Sequence, residues 1–434
     1  MKSIWDKSID LPEFNSVDSD LETDVLIIGG GICGILCAYY LNKAGVDYTL
    51  LESDRICCNT TANTTAKITS QHGFIYDKII KKYGVKAAKL YLEANEKAIE
   101  DYKNICLDND CDFEIVDNYV YSTNNLNAIN KELSALKKIE FNNAEFCQKL
   151  NLPIPVVGAI KFKNQAQFNP LKFIYHISKH LNIYEKSHVS QMMDTTAIVN
   201  NKFKVKAKKV IVATHFPFIN KHGSYFLKMF QHRSYVLALE NAPNFNGMYV
   251  DESKTGFSFK NYNDLLLLGG GSHRTGKKGG AYLELESFAK KHFPNAIIKY
   301  KWATQDCITL DSIPYIGNYS ASTPNLYVAT GFNKWGMTSS MIAAKLLCDK
   351  VLGIKNKYSS IFSPSRSVLH GQLAINSFEA IKGWLSISKK RCPHLGCALK
   401  WNKYEHSWDC ACHGSRFSEN GKLLNNPAND DIKT

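Results

Sequence analysis

Two short boxes near the end of the chain carry cysteine and histidine, the residue types that bind metals most often. The first box reads Cys392-Pro393-His394-Leu395-Gly396-Cys397, and the second reads Cys410-Ala411-Cys412-His413-Gly414-Ser415. Two thiolates can hold one iron and two imidazoles another, which gives a 2Fe-2S cluster with a higher potential than all-cysteine clusters. Zinc is the chemical competitor for the same ligands. The contexts H-L-G-C and C-H-G-S favour the iron–sulfur cluster, and therefore a one-electron relay.

A second chemical signature lies near the start of the chain, where Gly29, Gly31 and Gly34 form the pattern G-x-G-x-x-G. The apolar residues 25–28 predict a strand directly before this pattern, and a helix is predicted to follow it. The glycines allow a tight turn, a close approach of backbone to a pyrophosphate, and close packing of helix on strand. Glu52 ends the next predicted strand, where its carboxylate can bind ribose hydroxyls. The pattern predicts a site for an adenine dinucleotide.

From about residue 20 to 355 the chain resembles the FAD-dependent oxidoreductases of the D-amino-acid oxidase and glycine oxidase superfamily. Three further segments carry the resemblance: the Thr-rich residues 59–69, the strand at 209–214, and the strand, turn and helix at 326–338. In that superfamily the last helix points its N-terminus at the flavin and stabilises negative charge on the reduced ring. Besides Gly29, Gly31, Gly34 and Glu52, the resemblance implies FAD contacts by Thr60, Thr61, Thr65, Ala66, Lys67, Thr214, Gly331, Gly336, Met337 and Thr338.

The segment at residues 304–317 bears on the substrate. It aligns without gaps to the family segment G-L-R-P-x-T-x-D-G-x-P-x-I-G, in which the arginine clamps the substrate carboxylate through a bidentate pair. Asp306 stands at that position. A carboxylate there suits a cationic amine, and the alternative is a structural ion pair with Arg233, Arg274 or a lysine. The other candidates to line the substrate pocket are Lys67, His72, Tyr235, His273 and Trp335.

The glycine run at 269–271 does not complete a second dinucleotide fingerprint, because Arg274 occupies the place of the third glycine. A reductase driven by NAD(P)H is therefore disfavoured, and the reductant is expected to be a small organic molecule. The resemblance implies an enzyme, a dehydrogenase that oxidises an amine or amino-acid-like CH-NH donor by hydride transfer to FAD. The alternative is a redox sensor or electron-transfer adaptor without substrate turnover.

Residues 368–434 resemble a Rieske domain. The resemblance implies Cys392, His394, Cys410 and His413 as cluster ligands, and it matches Cys397 and Cys412 to the pair that forms a disulfide in cytochrome bc complexes. What remains of the strands that usually precede the first box is expected at residues 373–390. Because about seventy residues are few for an independent core, the domain is expected to lean on the FAD domain. The tryptophans expected in that contact are Trp384, Trp401 or Trp408.

Together the resemblances imply an α/β (α+β) fold with a discontinuous FAD-binding domain. This Rossmann-like domain would comprise residues 1–75, 155–221 and 301–355, and an antiparallel-sheet substrate domain would comprise 76–154 and 222–300. Residues 356–367 would link them to a small, truncated all-β Rieske domain at 368–434. Electrons would pass from the substrate to FAD, and then singly through the cluster to an external carrier.

The charge and the cysteine content indicate which partners and which cellular compartment to expect. The formal net charge is +13, but the lysines are dispersed and no nucleic-acid-binding motif is visible. The charge therefore favours an acidic redox partner such as a ferredoxin. Thirteen scattered cysteines and no signal peptide favour a reducing, cytoplasmic location. The uncharged residues 25–41 nearly reach the length of a membrane span, but the glycines break them, so no transmembrane segment is expected.

Overall fold

The secondary structure comprises two large sheets, one small sheet and the helices that cover them. The computed structural model describes residues 3–253, 255–367, 371–388 and 390–432. Its strands are β1 (Leu21–Ile28), β2 (Tyr48–Leu51), β3 (Lys67–Ile68), β4 (Glu114–Ser122), β5 (Ala144–Cys147), β6 (Gly158–Gln167), β7 (Ile183–Tyr184), β8 (Val189–Met193), β9 (Thr196–Val199), β10 (Phe203–Val212), β11 (Met229–Glu240), β12 (Met248–Asp251), β13 (Ser258–Tyr262), β14 (Leu265–Arg274), β15 (Ile297–Thr309), β16 (Tyr315–Asn318), β17 (Leu326–Thr330), β18 (Leu399–Asn402), β19 (Ser407–Cys410), β20 (Arg416–Ser418) and β21 (Leu423–Asn425).

The helices range from single turns to a helix of 23 residues. They are α1 (Ile32–Lys43), α2 (Tyr76–Tyr83), α3 (Val85–Leu107), α4 (Leu126–Lys138), α5 (Pro170–Ser178), α6 (Tyr225–Lys228), α7 (Ala281–His292), α8 (Gly336–Leu352), α9 (Ser359–Phe362) and α10 (Gly371–Leu385). Among the residues that the structure describes, no helix combines the length and the apolar character that crossing a bilayer requires.

The first sheet has β1 at its centre, paired in parallel with β2 on one side and β10 on the other. Its strand order is β16-β17-β10-β1-β2-β7. Strands β2 and β17 are buried along their whole length, as expected for strands covered on both faces. The predicted strand at 25–28 lies within β1, and α1 follows the glycine turn. This sheet confirms the α/β part of the predicted fold class.

The second sheet is largely antiparallel and has the order β15-β11-β14-β13-β12-β4-β6-β3. It includes β6 and β15, although the sequence-based boundaries assign residues 155–221 and 301–355 to the FAD domain. Pairing joins segments that are distant in the chain, such as β11 with β15. Sheet membership is therefore a tertiary property that the local pattern does not determine.

The third sheet is small and antiparallel, in the order β18-β19-β20-β21. It confirms a β-rich C-terminal domain, but the segment before the first box differs from the expectation. Residues 371–385 form α10 rather than strands. Asn376, Ala380 and Gly383 recur at intervals of three or four residues, so a helix can bring all three small side chains to one packed face.

The C-terminal domain is expected to lean on the FAD domain. It contacts β11 and β15 of the second sheet, and Asn426 donates to the Phe216 carbonyl after β10, but the tryptophans do not make these contacts. Trp384 and Trp401 remain 49% and 40% exposed, and Trp401 packs against Trp408 within the domain. Most of the hydrogen bonds across the contact come from polar side chains such as Gln231, Arg274 and Gln305. A small domain with few apolar residues can be held by hydrogen bonds when each buried donor finds an acceptor.

Residues 356–367, expected to be a linker, pack against the first sheet. Phe362 of α9 is fully buried, and Arg366 donates to both Asp311 oxygens at 3.0 and 3.1 Å. The two side chains are only 5% and 4% exposed. Burial would raise the pKa of Asp311, but the charge and hydrogen bonds of Arg366 hold it below its usual value. The pair therefore anchors this segment.

Replacing Arg366 by alanine should lower the free energy of unfolding by about 3–5 kcal/mol, because it leaves the Asp311 carboxylate buried without its partner. Urea unfolding measures the change. The control is Lys206→Ala, which removes an exposed ion pair with Glu22 and should cost less than about 1 kcal/mol. Equal effects of the two substitutions would contradict the anchoring role of Arg366.

Candidate functional site

A cavity of about 1110 Å³ extends between the first sheet, the second sheet and the C-terminal domain. It begins at the carboxyl end of β1, the edge of a parallel sheet at which ligands bind. The glycine turn, the loop at residues 57–65 and the turn before α8 form its first part. Strands β11 and β15 wall its second part. One continuous cavity thus joins the predicted dinucleotide turn to the predicted substrate pocket.

The glycine turn has the close contacts that the G-x-G-x-x-G pattern requires. A Cβ atom on Gly34 would lie 1.9 Å from the Gly29 carbonyl oxygen, and Gly29 itself has a φ of 108°. The Glu52 carboxylate accepts a hydrogen bond from the Gly30 amide at 2.7 Å. The Thr61 hydroxyl accepts one from the Ile32 amide at the start of α1. Side chains are therefore excluded at Gly29 and Gly34, where the turn and α1 pack closely, whereas a Cβ atom on Gly31 would lie 3.5 Å from the Thr61 hydroxyl.

Most of the predicted FAD contacts lie on the cavity wall. They are Gly29, Gly31, Glu52, Thr60, Thr61, Thr65, Lys67, Thr214, Gly331, Gly336 and Met337. Gly34 packs α1 onto β1, Ala66 lies behind the wall with a φ of 53°, and the Thr338 hydroxyl bonds to Thr69 and His72. These three residues support the wall without lining it.

Asp306 projects from β15 into the second part of the cavity. Burial raises the pKa of its carboxyl group to about 6, although the positive charges of Lys334 and Arg233 act in the opposite direction. Arg233 pairs with Glu405, and Arg274 donates to the carbonyl oxygens of Ala411 and Cys412. Both arginines named as alternative partners of Asp306 are thus engaged by the C-terminal domain.

The remaining predicted pocket residues divide into those on the wall and two behind it. Trp335 and Lys67 line the cavity. Tyr235 borders the cavity, but its side chain lies on the other face of β11, where its hydroxyl bonds to His273 at 3.0 Å and to Glu405 at 3.1 Å. Burial lowers the pKa of Lys67 to about 8. His72 also lines the cavity and stacks on Trp335, with ring centroids 4.9 Å apart.

Lys334 is a cavity residue that the sequence reasoning did not single out. It follows Asn333, and both have a positive φ, of 73° and 52°. Left-handed backbone at two consecutive residues with side chains is uncommon and clusters at functional sites. The signal that could have found Lys334 was its place inside the flagged segment 326–338.

The two Cys and His boxes converge in the C-terminal domain. The Cys392 thiol donates to the Cys410 sulfur, which with nearby backbone amides lowers the pKa of Cys410 to about 7. The imidazole rings of His394 and His413 lie with their centroids 4.9 Å apart. Cys397 and Cys412 form a disulfide, so the two free sulfurs of the boxes belong to Cys392 and Cys410.

These residues fit a cluster held by two thiolates and two imidazoles. The Nδ1 atoms of His394 and His413 are both buried without a hydrogen-bond partner among the described residues. Burial lowers the pKa of His394 to about 4 and that of His413 to about 3, so both imidazoles are neutral at pH 7. Neutral nitrogen atoms that lack a partner are what iron would ligate.

Strands β11 and β15 form a single layer of sheet between the cavity and the Cys and His boxes. Successive side chains alternate between the two faces of a sheet. Phe230, His232 and Ser234 of β11, and Thr304, Asp306 and Ile308 of β15, line the cavity. On the other face the Gln231 side chain donates to the His413 carbonyl at 2.9 Å, and that of Gln305 donates to the Gly414 carbonyl at 2.8 Å.

The histidine edge of the boxes also faces the rest of the chain. The His394 Nε2 atom lies 2.9 Å from the Asn220 side-chain oxygen. Phe226 contacts His413 edge-on with ring centroids 6.0 Å apart. The boxes are therefore docked with both histidines turned toward the larger part of the protein.

Comparisons with known proteins agree with this architecture. Residues 24–350 match the family model of the FAD dependent oxidoreductases (DAO), and residues 363–434 match that of the Rieske [2Fe-2S] domain. A Rieske 2Fe-2S iron–sulfur protein of Bacillus subtilis (strain 168), YhfW, is 36% identical over 100% of this chain and 97% of its own length.

More distant similarities cover the part before the boxes. The gamma-glutamylputrescine oxidoreductase of Escherichia coli (strain K12) is 24% identical over 80% of this chain and 88% of its own length. The structure of glycine oxidase from Geobacillus kaustophilus superposes with a TM-score of 0.67 at 15% identity, over 80% of this chain and 99% of that one. At that identity the likeness is one of fold.

The ligand assignment predicts that His413→Ala abolishes the EPR signal of a 2Fe-2S cluster with mixed ligation and leaves flavin absorbance intact, because one iron loses an imidazole. The matched control is His406→Asn, an exposed histidine of the same domain with a φ of 49°, where asparagine is tolerated. Retention of the signal in His413→Ala would refute the assignment.

Proposed function

We propose, since this chain belongs to the family of FAD-dependent oxidoreductases and ends in a Rieske [2Fe-2S] domain, that it is an amine or amino-acid dehydrogenase with an internal relay. FAD and a 2Fe-2S cluster, the two predicted cofactors, are those that such domains bind. FAD supplies the chemistry of hydride acceptance from a C–H bond beside nitrogen, and the cluster that of single-electron transfer.

Asp306 is the residue proposed to select the substrate. Its carboxylate lies on the cavity wall at the position where the family carries an arginine, and a cationic nitrogen would find its counter-charge there. Lys334 is close enough to influence the pKa of Asp306. A positive group beside a negative one suits a substrate that carries a carboxylate as well as an amine, and thus an amino-acid-like CH-NH donor.

The other wall residues are proposed to orient the substrate and exclude water. Trp335 stands on the cavity wall, whereas Tyr235 and His273, which bond to each other, would act from the other face of β11. The lowered pKa of Lys67, about 8, makes its amine a group that can hold or release a proton near neutral pH.

The observation that carries the relay is the shared wall of β11 and β15. Asp306 faces the cavity while its neighbour Gln305 holds the loop of the second box. The two boxes would hold a cluster one layer from the cavity, and it would supply single-electron transfer there without movement of the domain. The net charge of +13 favours an acidic carrier as the external electron acceptor. The cytoplasmic location of the protein remains a prediction.

The raised pKa of Asp306 predicts a pH dependence. The carboxylate is ionised only above about pH 6, so kcat/KM for a cationic amine should fall as the pH drops through this value. In Asp306→Asn the acidic limb should disappear, and kcat/KM at pH 8 should fall by about 10- to 100-fold, since a charge-assisted bond is lost. Steady-state kinetics from pH 5 to 9 test this, and an unchanged profile would remove Asp306 from the site.

Anaerobic stopped-flow reduction tests the function as a whole. A panel of amines and amino acids should contain a compound that bleaches the flavin first and the cluster afterwards, because electrons enter at the cavity. In His413→Ala the flavin should still bleach without the second phase. Silence of the wild-type protein across the panel would favour the alternative, a redox sensor or adaptor without substrate turnover.

A further inference from the structure

Helix α10 has its small and polar residues inside and its large apolar residues outside. Asn376 and Ala380 are 3% and 4% exposed, and Gly383 lies on the same face. The opposite side of the helix carries large apolar side chains at similar spacing. Ile375, Phe378, Ile381 and Leu385 are 52%, 63%, 51% and 79% exposed. A helix at the surface of a globular protein ordinarily has the reverse arrangement.

Packing fixes which face of α10 is buried. A Cβ atom on Gly383 would lie 2.3 Å from the Cys412 sulfur, so no side chain fits between the helix and the disulfide. The Asn376 side chain donates to the Leu227 carbonyl and accepts from Arg274, each at 3.1 Å. The packing that holds α10 over the second box therefore keeps its apolar face in contact with the surroundings.

Among the described residues, two cations that form no ion pair with a carboxylate, Lys382 and Arg391, stand beside this face, and its one acidic residue is neutralised by a lysine. Lys382 lies on the helix, and Arg391 donates to the Gly383 and Trp384 carbonyls at its end. Lys390 contacts Trp408 instead. The acidic residue of the helix is Glu379. Glu379 is paired with Lys277 at 2.5 Å. Lys382 follows Phe378 by four residues and therefore lies on the apolar side of the helix. Trp384, 49% exposed, stands at the border and donates to the Leu395 carbonyl of the first box.

We infer that α10 binds the surface of an anionic lipid bilayer and lies parallel to it. Large apolar residues on one face with basic residues at the rim and an aromatic residue at the border are the features of an interfacial helix. Anionic headgroups complement Lys382 and Arg391, and acyl chains take up the apolar side chains. Since Trp384 contacts the first box, docking brings that box to the membrane surface.

An acidic protein partner and a second copy of this chain are the other occupants that the test must separate. A second copy would bring the same cations against Lys382 and Arg391, which opposes association. A protein partner would need an apolar face of its own among its acidic residues, whereas a bilayer offers both components everywhere. The inference does not depend on the substrate or on the electron route proposed above.

Co-sedimentation of the holoprotein with vesicles tests the inference. The protein should pellet with vesicles of phosphatidylglycerol and phosphatidylcholine, and less with phosphatidylcholine alone, because both charge and apolar contact are needed. The double substitution Phe378→Ser with Leu385→Ser should lower the partition coefficient at least about tenfold, since two large apolar side chains no longer enter the interface. Lys382→Glu should lower it for anionic vesicles only.

The matched control is Leu283→Ser with Ile297→Ser, two apolar residues that are 53% and 51% exposed elsewhere. Flavin absorbance and the cluster EPR signal confirm that each variant is folded. No sedimentation of the wild-type protein overturns the inference, as does equal binding by the α10 variant and the control. Dimerisation of the wild-type protein that the α10 variant abolishes, without vesicle binding, would assign the face to a second copy instead.

Discussion

The alternation of side chains along β11 and β15 is the constraint on which the rest of the molecule depends. Because successive residues point to opposite faces, His232 and Asp306 reach the cavity while Gln231 and Gln305 reach the loop of the second box. A shift of either strand by one residue would exchange these roles. The same register therefore builds the second part of the cavity and positions the metal-binding boxes.

The contact between the second sheet and the C-terminal domain includes a buried ion pair, which fixes the orientation of the domain. Arg233 pairs with Glu405 of the C-terminal domain, whose carboxylate also accepts from Tyr235. Burial would raise the pKa of Glu405, but the charge of Arg233 lowers it to about 2. Removing one member of such a buried pair leaves an uncompensated charge, so the domains are held in one orientation. With Arg233 engaged in this way, Asp306 keeps a carboxyl group whose pKa burial has raised.

The docked boxes have an inner and an outer side. The histidine edge faces the larger part of the chain through Asn220, and the disulfide side lies under α10. The small residues that α10 needs in order to approach Cys412 leave its large residues on the outside. The side that faces the cavity and the side that faces the surroundings are thus different sides of one small domain.

The sequence by itself determined what depends on short-range spacing: the turn at Gly29 to Gly34, the strands that flank it, the two boxes and both cofactors. Spacing within a few residues is enough for these features, because one turn or one loop brings the groups together. Tertiary structure decided that residues 371–385 are helical, that Lys334 lies on the cavity wall and that arginines, not tryptophans, hold the domain contact. These depend on which distant segments meet, as β11 meets β15 and Arg233 meets Glu405, and no local pattern contains that information.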